Sequence, residues 1–165
     1  MLTGVTQLQT HVAIDASRMY IEGASYGGYL SSWIATHPSP FRAAVAGVPV
    51  EDLTLQTALS QSPGLIERFF GERPLADNSA RLRDQSTVTY AGSLRIPLLI
   101  LANLNDTQAP YPQAILFYKK ALESGKPVDL VGYPGLAHEF GGPLNVADWY
   151  HRIAGWFHKY GGPAF

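Results

Sequence analysis

With 165 residues, 46% of them hydrophobic and 15% charged, the chain has enough apolar material for one compact core and too little charge to stay disordered. Twelve Lys and Arg against 13 Asp and Glu leave a formal net charge of -1, so no global positive field draws in a phosphate backbone and nucleic acid is not an expected partner. The lack of cysteine excludes disulfides, thiolate metal sites and a cysteine nucleophile.

Leu2, Val5, Leu8 and Val12 fall near helical spacing and predict an amphipathic helix, which Asp15-Ala16-Ser17 ends. Met1 to Thr10 has neither the basic nor the apolar block of a signal peptide. No apolar run approaches the roughly 18 residues of a membrane span, so the expectation is a soluble chain without a membrane partner, with the cytoplasm favoured. Arg18 to Gly23 is short, β-prone and stopped by glycine, and Tyr29 to Thr36 is helical until Pro38 and Pro40 close it. Ala43 to Val48 reads as a small apolar strand. Leu53 to Phe70 reads as helix interrupted at Pro63-Gly64, and Arg73 to Ala91 as a polar connector. Ile96 to Ala102 is a continuous apolar run, the pattern of a parallel strand covered on both faces, and is expected to be central.

Pro112 to Ser124 is a helix with Pro in its first turn and Gly125 beyond its end, Val128 to Tyr133 a last strand, and Asn145 to Tyr160 a closing helix. That helix carries Val146, Trp149, Ile153, Trp156 and Phe157 on one stripe. Alternation of strand and helix argues for an α/β fold with a mostly parallel sheet and helices on both faces. None of the five histidines pairs at the His-x-x-x-His spacing of a helical metal site; His151 and His158, a heptad apart, read as a solvated face, and no metal or other cofactor is expected.

Gly23-Ala24-Ser25-Tyr26-Gly27 has the Gly-x-Ser-x-Gly spacing of a nucleophile elbow. In a chain with 16 glycines the pattern alone is weak; its place between a predicted strand and a predicted helix gives it weight. Both flanking glycines are expected to be needed because a side chain at either position would crowd the adjacent strand and helix. The helix start after Ser25 offers backbone N–H groups to an oxyanion, Tyr26 first. A serine hydroxyl needs a base, and His138, in a glycine-flanked loop after the last strand, is the best placed histidine; His11, His37, His151 and His158 lie on or beside helices. The carboxylate that would orient it is Asp106, just after the apolar strand, with Asp52 as a rival that a helix start also explains. The order Ser, Asp, His is that of α/β-hydrolases. Leu65, Ile66, Phe69 and Phe70 are candidates for an apolar substrate pocket, and equally for the core under a lid helix; Gln108 is a further candidate for touching substrate.

Gly-Ala-Ser-Tyr-Gly-Gly-Tyr at 23–29 resembles the Gly-x-Ser-Tyr-Gly-Gly-Tyr signature of the prolyl oligopeptidase family, and the resemblance continues in register through Phe41–Asp52, Ile96–Pro110 and Tyr133–His138. Two departures stand out: Ala102-Asn103 where the family often has His-Gly, and Glu139-Phe140 in place of Gly-Phe after the histidine. The resemblance implies a single, partial α/β-hydrolase catalytic domain over 1–165, because family members carry a β-propeller and the first sheet strands, with the second oxyanion donor, ahead of the elbow. The elbow strand is then expected to expose an apolar edge, to be covered by a missing N-terminal segment or by self-association. The implied activity is that of a serine-type peptidase hydrolysing short peptides or acyl-peptides through an acyl-enzyme on Ser25. A small-molecule carboxylesterase and a non-catalytic interaction module are the alternatives.

Overall fold

The structure, a computed structural model, describes residues 2–62, 64–71 and 73–162; Met1, Pro63, Glu72 and 163–165 lie outside the description, and with them the proline of the predicted Pro63-Gly64 break. In chain order the elements are α1 (Leu2–His11), β1 (Tyr20–Ala24), α2 (Tyr26–Thr36), β2 (Ala43–Gly47), α3 (Leu53–Leu59), α4 (Gly64–Phe70), α5 (Pro74–Asp77), α6 (Ser79–Asp84), β3 (Leu98–Asn103), α7 (Tyr111–Ala121), β4 (Val128–Tyr133) and α8 (Pro143–Lys159). The four strands form one parallel sheet in the order β1-β2-β3-β4.

Alternation along β3 explains why helices cover both faces. Leu98, Ile100 and Ala102 pack with Ala35 of α2 and with Ala114, Phe117 and Ala121 of α7. Leu99 and Leu101 turn the other way, onto Trp149, Ile153 and Trp156 of α8. Strand β2, Ala-Ala-Val-Ala-Gly, is buried throughout, and its small side chains let the helices approach closely. The predicted connector 73–91 instead holds α5, α6 and 3-10 turns at Thr87–Thr89 and Ala91–Ser93. Its anchors, Leu82, Val88 and Ala91, are single buried residues too widely spaced to make a helical stripe.

The elbow strand β1 sits at the edge. Met19 O accepts Arg42 N and Ser25 N donates to Gly47 O, so odd-numbered residues face β2 and the main-chain groups of Tyr20, Glu22 and Ala24 point to the open side. Among the described residues no strand pairs with that side. On α1, Leu8 stays 56% exposed, as does Val12, just past its end, at 55%, while Val5 is half-buried.

Glu51, four residues past β2, is wholly buried. Ser32 Oγ of α2 donates to its Oε1 at 2.6 Å, and Thr87 Oγ1 meets both its Oε2 and, at 3.0 Å, its carbonyl oxygen. A hydroxyl has one proton, so Thr87 cannot donate to both oxygens. With Glu51 protonated the pattern closes: Oε2–H donates to Thr87, whose own proton goes to the carbonyl. Burial pushes this carboxyl up to about 8, against the opposing pull of the two hydroxyls. The folded chain therefore holds a proton that the unfolded chain loses near 4.5, and stability falls as pH rises between those values. Glu51→Gln keeps the shape and the hydrogen bonds of the neutral acid. Its melting temperature is expected to gain on wild type from pH 5 to pH 8.5, by at least ~3 °C, the equivalent of about 1 kcal/mol in a chain this size. An offset that stays constant across that range contradicts a neutral Glu51.

Candidate active site

Ser25 stands between the last residue of β1 and the first of α2 with φ 58° and ψ -116°, a left-handed backbone that a side-chain-bearing residue adopts only under constraint. The constraint is visible: its N–H donates to Gly47 O at 2.8 Å, and its carbonyl accepts Tyr29 N at 3.0 Å as α2 begins. Of the two motif glycines, only Gly23 is sterically required, since a Cβ there would lie 2.6 Å from the backbone of Gly27. A Cβ on Gly27 itself meets nothing within 4 Å, which corrects the expectation that both flanks are crowded. The second crowded position is Gly28, where a Cβ would stand 2.6 Å from Gly47 O, because α2 crosses directly over the end of β2.

His138 Nε2 lies 2.9 Å from Ser25 Oγ, and its Nδ1 lies 2.7 Å from Asp106 Oδ2. An ionised carboxylate only accepts, so Nδ1–H donates to Asp106 and Nε2 is left to accept from the serine hydroxyl. Asp106, its side chain 1% exposed, also accepts Gln108 N and Ala109 N on Oδ1, each at 2.8 Å. The rival, Asp52, caps α3 by accepting Thr54 N and Leu55 N. The remaining histidines are elsewhere: His11, His151 and His158 are exposed, and His37 stacks on Trp33 at the end of α2.

A strained serine on a strand-to-helix turn is joined through His138 to a buried aspartate. The prolyl oligopeptidase family profile matches residues 1–163. The chain belongs to the prolyl oligopeptidase family. Its sequence is 27% identical over 150 residues to the uncharacterized peptidase YuxL of Bacillus subtilis, covering 89% of this chain and 23% of that protein. Its fold is similar to that of the acylaminoacyl peptidase of Pyrococcus horikoshii, with a TM-score of 0.88 and 26% identity over 96% of this chain and 27% of that one. An acylaminoacyl peptidase solved in complex with Z-Gly-Gly-Phe-chloromethyl ketone gives a TM-score of 0.86 at 26% identity, over 95% of this chain and 26% of that one. The chain thus has the α/β-hydrolase fold of this family and spans about a quarter of the length of these relatives.

Beside Ser25 lies a cavity of about 200 Å³. Leu65, Ile66, Phe69 and Phe70 line it, together with Tyr26 and Tyr29 from the elbow helix. Ile66 and Phe70 also pack with Leu53 and Leu82, so they are core and wall at once. Gln108 is not among the lining residues. It holds Asp106 through its N–H, while its carbonyl accepts Gln56 Nε2 at 2.6 Å and Ser60 Oγ at 2.9 Å. A larger, shallower depression lined by Arg42, Arg95 and Lys159 lies at the opposite ends of the strands, away from Ser25.

Three polar residues near the site escaped sequence reasoning. Gln113, fully buried in α7, accepts Glu51 N and Asp52 N on Oε1 and donates from Nε2 to Gln56 Oε1 at 2.9 Å. Gln56 passes the link on to Gln108 O and also lines the cavity. Asn103, noticed only as a departure from the family pattern, reaches the loop that bears His138. Polar residues in otherwise apolar helices and strands are the only sequence trace of such contacts. The glycine geometry gives a direct check by urea unfolding: Gly27→Ala is expected to keep wild-type stability or gain up to about 1 kcal/mol of helix propensity, whereas Gly28→Ala loses about 2 kcal/mol by overpacking. Equal losses at both positions contradict the assignment.

Proposed function

We propose that this chain supplies the nucleophile, base and orienting carboxylate of a serine peptidase acting on short peptides or acyl-peptides. The observation that carries the reading is the continuous hydrogen-bond path from Ser25 Oγ through His138 to Asp106, at 2.9 and 2.7 Å. In this reading Ser25 attacks the carbonyl carbon before the scissile bond while His138 Nε2 takes the hydroxyl proton, and Asp106 stabilises the imidazolium that forms. The same imidazolium then protonates the leaving amine. Water, deprotonated in turn by His138, releases the acyl group from Ser25. Tyr26 N–H, first in α2 and without an acceptor in the preceding helical turn, is the backbone donor assigned to the oxyanion.

The cavity beside Ser25 fits one large apolar side chain, because its volume of about 200 Å³ is below the ~300 Å³ at which sites for whole drug-sized ligands begin. The related acylaminoacyl peptidase, solved with a chloromethyl ketone whose last residue is Phe, supports an aromatic or aliphatic residue in that position here. Burial holds the Tyr29 phenol up at about 12, so it stays neutral in the cavity wall and donates to Gln85 O at 2.9 Å.

A fluorophosphonate probe tests the assembled nucleophile. Wild type is expected to label at Ser25, Ser25→Ala not at all, and His138→Ala at least about 1,000-fold more slowly. Turnover of amides ending in Phe or Leu should exceed that of amides ending in Lys or Asp. A folded protein that never labels favours a non-catalytic module, and turnover of simple esters with none of aminoacyl amides favours a carboxylesterase.

A further inference from the structure

We propose that Asn103 is a positioning residue for His138, a role that rests on the reading of His138 as the base. Asn103 is the last residue of β3, 1% exposed, and pairs in register with Tyr133 at the end of β4. Its Nδ2 donates to Ala137 O at 2.5 Å and to Glu139 O at 2.7 Å, so one amide group grips the carbonyls on both sides of His138. The amide orientation is determined, since the flipped form would set Oδ1 against two carbonyl oxygens.

The segment is also held ahead of His138, where Gly135 N donates to Asn105 Oδ1 at 3.0 Å and Leu136 packs with Trp149, and at His138 itself by Asp106. Asn105 N donates to Leu136 O at 3.2 Å, Glu139 N bonds locally to Ala137 O, and Phe140 rests edge-on against Trp149. Ala137 and Glu139 are exposed residues of the loop, but their carbonyls face the buried Asn103 amide. Among the described residues Asn103 Oδ1 has no hydrogen-bond partner, so the contacts of this side chain are the two made by its Nδ2. A buried amide whose Nδ2 donates to the carbonyls on both sides of one residue constrains that residue. The strand that ends in Asn103 leads three residues later to Asp106, so the same element sets both the carboxylate and the imidazole it must meet.

The test compares wild type with Asn103→Ala, which removes the fork, and Asn103→Asp, which keeps its shape and reverses its polarity. Unfolding midpoint, fluorophosphonate labelling rate at Ser25, and water exchange of His138 Nδ1–H by ¹⁵N NMR are measured on the full chain. Labelling is expected to slow about tenfold in Asn103→Ala and further in Asn103→Asp, with exchange accelerated at least about tenfold, because displacing a reacting group by about 1 Å can cost up to about 100-fold in rate. The midpoint of Asn103→Ala should stay near wild type. Wild-type labelling and exchange in either folded variant overturn the proposal, as does failure of both variants to fold, which would make Asn103 structural. If the wild type itself does not label, the serine-hydrolase reading fails, while the exchange comparison still decides whether Asn103 holds the ring.

Discussion

Parallel pairing is the constraint on which the site depends. Ala24 pairs with Gly47, Gly47 with Leu101, and Asn103 with Tyr133, so β1, β3 and β4 all end at nearly the same level. Ser25 follows the first of these ends at once, Asp106 follows the second by three residues, and His138 the third by five. Ladder hydrogen bonds thus bring together groups more than a hundred residues apart in sequence. A slip of one residue between β2 and β3 would turn Leu98, Ile100 and Ala102 toward the opposite face. The hydrophobic pattern that fixes the core therefore also fixes the distance from hydroxyl to imidazole.

The level of the strand ends brings the loops together, but the fine placement is polar. Asp106 sits in a turn closed by its own carboxylate on two N–H groups, and the carbonyl beside that turn is held by Gln56 and Ser60 of the α3 region. Gln56 leads through Gln113 to the backbone of Glu51, whose side chain in turn binds Ser32 on the helix that Ser25 begins. A buried path of hydrogen bonds consequently runs from the elbow helix to the aspartate loop, separate from the path through His138. Buried polar networks contribute little net stability when each group is merely satisfied, but they select one arrangement over near alternatives. Selection among near alternatives is what a proton-transfer geometry needs.

Features that repeat or sit at element boundaries were legible in the amino-acid sequence. The Leu-Leu-Ile-Leu run of β3, the stripe on α8 and the glycine-bounded elbow each announce themselves over several residues, and with them the positions of Ser25, Asp106 and His138. The short helices α5 and α6 were not legible, because Leu82 is a single anchor rather than a stripe. Nor was the difference between Gly27 and Gly28, since both are glycine and only the crossing of α2 over Gly47 O makes one indispensable. Asn103, Gln56 and Gln113 each bond to backbone or amide groups brought near by the fold, and contacts of that kind leave no periodicity to read.

The open side of β1 bears on the nucleophile more than on the rest of the molecule. Ser25 is held in its strained conformation from one flank, through Gly47 O and the packing of Gly28, while the outward main-chain groups of Ala24, the residue just before it, have no ladder partner among the described residues. Strain of about 1–3 kcal/mol at such a residue persists only where its surroundings over-determine it. A strand paired with the β1 edge would therefore do more than hide unpaired N–H and C=O groups: it would stiffen the strand whose last residue precedes Ser25. Edge protection and nucleophile placement are in this fold a single mechanical problem, solved from one side by β2 and, among the described residues, open at Tyr20, Glu22 and Ala24 on the other.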